Sequence, residues 1–369
     1  MSTREFAAYL GISSRTVSKW EAAGKTALLR PHSQSLLDTA LARASSDTQR
    51  IFWQSFDKSP GFPPVSREGQ FTVTSHKFIP VYIGPKQAES LSTEVPNRSS
   101  LDGLWLDHTR LEVPYLEANT RCTLYVLACG VALFHLEQER TPDNLTALAL
   151  WRYRSYAKDL PWAEATIKEL LGHPEQDPPT AEYVLSLYYL HDGPWGGKQL
   201  DSALRLLSTP SVLVDRHTPN DPHPLDPTVE TEMLDQGFDH QGIVEFGIPE
   251  IAIGHAAWSG VAYHVQAPER ALPLNDLLAC EVAVQALWCF CRHVEVLMEQ
   301  GHDPVMPEPY GWRFLRSAHS RLTTARARET AQHRFMREAI VATSGITERL
   351  RIAQDALKDS TYKGITGDE

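Results

Sequence analysis

The sequence predicts an α+β protein: a small all-α N-terminal head joined to a large mixed α+β body that ends in long helices. Three observations predict it. Residues 2–24 carry apolar side chains at helical spacing on both sides of Gly11. The middle of the chain sets short apolar and aromatic runs between proline- and glycine-rich breaks, too irregularly for a doubly wound sheet. From Asn275 to about Lys358 the pattern is helical. The boundaries follow: a head over 1–57, a linker over 58–76, a mixed α/β region over 77–270 and a helical region over 271–360. The linker is placed at Lys58-Ser-Pro-Gly-Phe-Pro-Pro64, a run that cannot continue a helix.

Composition and charge narrow the classes. The 369 residues are 42% apolar and 22% charged, ordinary for a folded chain with more than one core. The net charge of −11 excludes adhesion to nucleic acid by bulk attraction, so any such contact needs a local basic face. Residues 1–30 supply one, with Arg4, Arg15, Lys19, Lys25 and Arg30 against Glu5 and Glu21, a net of +3. Residues 313–351 supply another, nine arginines against three glutamates. The five cysteines (Cys122, Cys129, Cys280, Cys289, Cys291) sit in apolar runs and read as reduced core residues of a cytosolic protein. Positions 1–20 are polar and amphipathic, which speaks against a signal peptide and for a cytoplasmic chain. The most apolar stretch, Leu277–Met298, contains Glu281, Gln285, Arg292, His293 and Glu295, and so reads as a buried helix with no membrane partner.

In the head, Phe6, Ala7 and Leu10 share one face of a first helix, and Ala7 is small where a second helix must cross. Gly11 permits a sharp turn, Ile12 plugs the angle, and Ser13 stands at the N-cap of the next helix. That helix, about Ser14–Ala23, buries Val17 and Trp20 and turns Ser14, Arg15, Ser18 and Lys19 outward. Turn, cap and apolar phase agree with a helix-turn-helix. Arg15 and Lys19, one turn apart, have the reach to meet guanine O6 and N7 in a major groove, while Ser14 and Thr16 can meet a base or a phosphate.

The run Phe-Ala-Ala-Tyr-Leu-Gly-Ile-Ser-Ser-Arg-Thr-Val-Ser-Lys-Trp-Glu resembles the helix-turn-helix of the lambda-repressor-like (Cro or XRE-type) transcriptional regulators, actinobacterial members in particular. The resemblance covers about residues 2–24. It implies that the second helix is the recognition helix, with Ser14, Arg15 and Lys19 at base-contacting positions and Thr3 where a phosphate-holding Gln is commoner. Such domains carry a further helix ahead of this pair, which the chain from Met1 leaves no room for. Residues 33–56, with Leu36, Leu37, Ala40, Leu41 and Ala44 in one stripe, continue the head.

In the body, Lys77–Gly84 reads as a strand, and Arg121–Leu136 as one buried strand or two kinked at Gly130. Leu145–Leu171 is helical, with Pro161 able to interrupt it; Ala181–Leu190 and Ile251–Val265 are strand candidates. His173–Pro179 and Asp215–Pro227 are proline-rich loops, and Asp192–Lys198 lacks phosphate-loop spacing and reads as a turn. Trp312–Ala342 and Ile346–Leu357 are amphipathic helices.

The chemistry-bearing residue types do not assemble in sequence into a recognised centre. On a helix, Cys289, Cys291 and His293 point about 200° apart in succession and cannot converge on one ion. His217, His223 and the aspartates of the 215–226 loop read as a connector, and His255 as a satisfied core histidine. There is no Gly-x-Ser-x-Gly elbow. The arginines of 313–337 are expected to pair with the acidic body. The expectation is therefore a DNA-binding regulator and not an enzyme, without cofactor or metal. Its DNA contacts are expected at Thr3, Ser14, Arg15, Thr16, Ser18, Lys19 and Lys25. Its expected partners are double-stranded DNA, a second copy of the chain and an unknown small-molecule effector. Two alternatives stand beside it: an interaction or scaffold protein with a vestigial helix-turn-helix, and an enzyme domain fused to a regulatory head.

Overall fold

A computed structural model describes residues 3–10, 12–23, 71–93, 98–100, 107–172, 180–191, 193, 195, 197–210, 233–235, 242–302, 311–324 and 329–366. Gly11, Lys25, the stripe at 33–56, residues 58–70 of the expected linker, the loops 173–179 and 215–227, and Arg326 and Arg328 lie outside the described residues; the last residues of that linker, 71–76, are described, and a strand already begins among them at Val73. The chain divides into two compact units, Met1–Val65 and Ser66–Glu369. The first contains α1 (Thr3–Leu10) and α2 (Ser14–Ala23).

The second unit is α+β, as the sequence predicts. Its strands are β1 (Val73–Tyr82), β2 (Arg98–Ser100), β3 (Asp107–Glu112), β4 (Arg121–Leu127), β5 (Val131–Arg140), β6 (Leu185–Leu190), β7 (Val244–Ile248), β8 (Ala252–Ala257) and β9 (Gly260–Val265). Its helices are α3 (Pro85–Thr93), α4 (Leu145–Leu170), α5 (Gly197–Ser208), α6 (Leu274–Glu299), α7 (Trp312–Thr323), α8 (Ala331–Ser344) and α9 (Ile346–Thr366). The strands form one sheet in the order β2-β3-β4-β5-β1-β6-β9-β8-β7. Every pairing is antiparallel except β6 with β9.

Both faces of the sheet are covered. On one, Ile79, Val81, Leu124 and Phe134 meet Ala88 and Leu91 of α3 and Ala163 and Ile167 of α4. Farther along that face, Val73, Tyr188 and Ala262 meet Leu148 of α4 and Leu204 of α5. On the other face, Phe78, Leu133, Leu187 and Val261 share a core with α6 and with Leu315, Met336, Ile340 and Leu350 from the three helices after it. A two-sided cover explains why β1 is buried along nearly its whole length instead of alternating. Pro80 sits in that central strand beyond Phe78, the last β1 residue in register with β6 (opposite Leu185), where that ladder has stopped. α6 is long and apolar enough to cross a membrane by length and composition, and 67% of its most apolar window is buried inside this fold.

Several expected elements take a different form. Of the two readings of Arg121–Leu136, two strands broken at Gly130 is the one found, and the break is a full reversal: β4 and β5 are arms of a hairpin. Gly130 holds φ at 92°, and a Cβ there would lie 2.7 Å from the carbonyl carbon of Gly84, so only glycine fits. Pro161 does not interrupt α4, which runs on for nine residues to Leu170 from a start capped by the Asn144 side chain on the Ala147 amide at 2.7 Å. The segment read as a turn at Asp192–Lys198 ends by opening α5 at Gly197. The stretch Trp312–Ala342 is two helices, α7 and α8, and the second ends on Gly345 in the left-handed region.

Candidate nucleic-acid interface

α1 and α2 cross at Ala7 and Val17, which are 2% and 3% exposed, with Phe6, Ile12 and Trp20 partly buried around them. α1 is closed by the Ile12 amide donating to the Ala7 carbonyl at 3.0 Å, the long-range bond of a helix that turns away at its end. Ser13 then caps α2: its hydroxyl oxygen accepts from the Thr16 amide at 3.1 Å and shares a 2.7 Å hydrogen bond with the Thr16 hydroxyl.

This packing turns Ser14, Arg15, Ser18 and Lys19 into solvent. Arg15 and Lys19 are four residues apart and so project from one face. Among the described residues neither forms an ion pair. Two other expected contact residues have local partners instead. The Thr16 hydroxyl belongs to the Ser13 cap, and the Thr3 hydroxyl faces both Glu21 carboxylate oxygens at 3.4 Å. A carboxylate beside Thr3 opposes a phosphate at that position.

Polar groups in the second unit are bound into its core. Lys77 and Asp159, 4% and 0% exposed, join β1 to α4 through a 2.9 Å ion pair. Lys77 Nζ also donates to Ser155 Oγ at 2.8 Å and lies 4.3 Å from the Trp151 ring, while the Tyr115 hydroxyl donates to the free Asp159 oxygen. Burial pulls the Lys77 ammonium below its ordinary range and the Asp159 charge opposes that. On the opposite face His76 Nδ1 and His135 Nε2 are 2.9 Å apart. Burial lowers His76 to about 4 and His135 to about 3, and a neighbouring imidazole adds to each, His191 beside His76 and His76 beside His135.

His255 is buried but not the satisfied histidine that the sequence suggests. Its Nε2 lies 3.1 Å from Asp201 Oδ1 outside hydrogen-bond geometry, and its Nδ1 lacks a partner. Asp201, Glu245 and His255 bring potential metal ligands within 4.8 Å of one another. Arg205 holds that position itself, with Nε 3.0 Å from Asp201 and its guanidinium on Glu245, so one cation is already shared by both carboxylates. Along α6, Cys291 is buried, whereas Cys289 and His293, four residues apart, share a face and both lie by Tyr82, on which His293 stacks at 3.6 Å. The five cysteines are free thiols. Of the C-terminal arginines, Arg337 binds Glu329 with 2.8 and 2.9 Å hydrogen bonds, and Arg349 pairs with Glu295.

Comparison of the chain with protein-family models, curated proteins and solved structures found no match.

Proposed function

We propose that the chain is a sequence-specific DNA-binding transcriptional regulator, whose α2 enters a major groove while the α+β unit serves dimerisation and effector sensing. The carrying observation is the face of α2: two cations and two hydroxyls point outward from a helix whose other face is locked by Ala7, Val17 and the Ser13 cap. Arginine and lysine side chains one turn apart match the acceptor pair of guanine, and the serines suit base edges or phosphates. Ser14, Arg15, Ser18 and Lys19 are the proposed contacts. Thr16 contributes through the cap, and Glu21 moves the phosphate role away from Thr3. A helix of ten residues reads few base pairs, so the reading includes a second copy of the chain on an adjacent half-site. A cytoplasmic location belongs to the same proposal.

The test is binding of the full chain to duplex DNA by fluorescence anisotropy, across sequences and salt concentrations. Arg15→Ala and Lys19→Ala should each cost about 1–3 kcal/mol at a preferred duplex and less elsewhere. Equal loss on every duplex would reduce both residues to phosphate contacts. Salt-insensitive or undetectable binding to all duplexes would favour an interaction protein instead.

A further inference from the structure

We infer that the α+β unit carries a binding site for a flat, apolar molecule bearing one carboxylate, in a cleft of about 350 Å³ at the end of the sheet where β6 and β9 begin. It supplies a ligand class for this unit and does not depend on the head reading DNA.

The site follows from topology. β6 and β9 run parallel with Ser186 opposite Gly260, so both strands start at the same end of the sheet. The segment leading into β6 and the Trp258–Ser259 turn leading into β9 therefore meet there. α4 covers one face of the sheet and brings Arg152 and Tyr156 to the gap; α6 covers the other and brings Gln285 and Trp288. A cleft of this volume suits a small ligand.

Its walls are aromatic. Tyr183 meets Trp288 edge to face at 4.7 Å, and Arg349 backs the Trp288 ring at 4.2 Å, which fixes that indole in place. Trp258 is 71% exposed beside the cleft, an apolar surface that a folded chain gains nothing by presenting to water. These rings favour a planar partner that stacks.

The polar groups set the charge. The Arg152 guanidinium donates to the Ser259 carbonyl at 2.7 Å, which aims it at the cleft. Among the described residues no carboxylate pairs with it, and the ionisable neighbours that act on it are the phenols of Tyr188 and Tyr156. A guanidinium has five N–H donors, and a carboxylate is the group its fork fits. Glu182 also lines the cleft; its carboxylate lies 3.6 Å from Arg292, a guanidinium it shares with Glu295 and Glu299, and a bound carboxylate would sit on the Arg152 side, away from it. Gln285 is spent on neighbours, accepting from Tyr183 at 2.6 Å and donating to Glu281 at 2.9 Å, so it shapes the floor and leaves the charge to Arg152.

The experiment titrates the full chain, without DNA, with 2-naphthoate and with the uncharged, isosteric 2-naphthamide, by calorimetry and by tryptophan fluorescence. Naphthoate should bind one site per chain at least about tenfold more tightly than the amide. Arg152→Met should abolish that preference while leaving amide binding in place. Trp258→Ala, an exposed substitution, should weaken both ligands alike. Should Arg152→Met fail to fold by circular dichroism, Arg152→Lys, which keeps the charge without the fork, should reduce naphthoate binding alone. Equal affinity for acid and amide, a preference undiminished in Arg152→Met or in Arg152→Lys, or no binding of either compound at millimolar concentration would overturn the inference.

Discussion

Lys77 and Asp159 show how one residue pair sets the terms for the α+β unit. Removing two charges from water costs several kcal/mol per ion, and only close pairing with full hydrogen bonding offsets it. Ser155, Tyr115 and the Trp151 ring supply the remaining contacts. The asymmetry is testable by urea unfolding. Asp159→Ala should destabilise by about 3–5 kcal/mol, because it strands a buried ammonium, whereas a Lys77→Met, Asp159→Leu double variant should lie much nearer the parent. Equal losses in the two would show that the pair's charge is not what the core responds to.

The buried histidines give a pH dependence whose sign follows from their pKa values. His76 falls to about 4 and His135 to about 3 in the folded chain, against 6.5 unfolded. The unfolded chain therefore takes up protons first on acidification. Their contribution is intact above pH 6.5 and is lost as pH falls toward 4, at up to about 1.4 kcal/mol per pH unit for each ring. His293, lowered by burial to about 4, acts in the same direction. Glu281 opposes them: burial raises it to about 7 from 4.5, so it loses stabilising effect as pH rises through that window. His255, also lowered by burial, adds to them, and one carboxyl against four imidazoles leaves a net loss on acidification. The urea midpoint should fall between pH 7 and pH 5; a flat or rising midpoint would contradict the assignment.

At the scale of elements, the β4–β5 hairpin carries the clearest prediction. Gly130→Ala places a side chain at positive φ and against the Gly84 backbone. It should lower stability by well over 1 kcal/mol and shift the thermal midpoint by several degrees, whereas Gly172→Ala, at positive φ in open space, should cost less. Elements with strong period or strong caps are legible in the sequence. The helices α4 and α6 and the Ser13 cap fall where spacing and residue type place them, whereas β1 starts four residues ahead of the expected Lys77 and ends two before Gly84. The hairpin was ambiguous because its two arms are buried on both faces and so lack the alternation that separates strands. α3, β3 and β7 carry no comparable signal: they are short, and their apolar residues make sense only against neighbours distant in the chain.

The same limit applies to sites. The α2 face is local, so Arg15 and Lys19 can be picked out from spacing alone. Lys77 was visible only as the polar start of an apolar strand, and Asp159 only as one acid in a helix. Their meeting across 82 residues is a property of the sheet. The cleft beside Arg152 draws on segments as far apart as 152 and 344, so no local pattern in the sequence marks it.

At the scale of the whole molecule, charge decides how DNA can be met. A chain of net charge −11 repels a duplex in bulk, so under the proposed reading affinity comes from a small cationic face and falls with salt in proportion to the few phosphates that face neutralises. The arginine-rich C-terminal stretch adds little to that face where it is spent internally, as at Arg337 on Glu329 and Arg349 on Glu295. The most direct measurement of the central claim is selection of duplexes from a random pool by the full-length chain at low salt. The account predicts enrichment of two similar half-sites about ten base pairs apart, with recognition at one base position relaxed in Arg15→Ala. No enriched sequence, or an unchanged motif recovered by an Arg15→Ala, Lys19→Ala double variant, would contradict it.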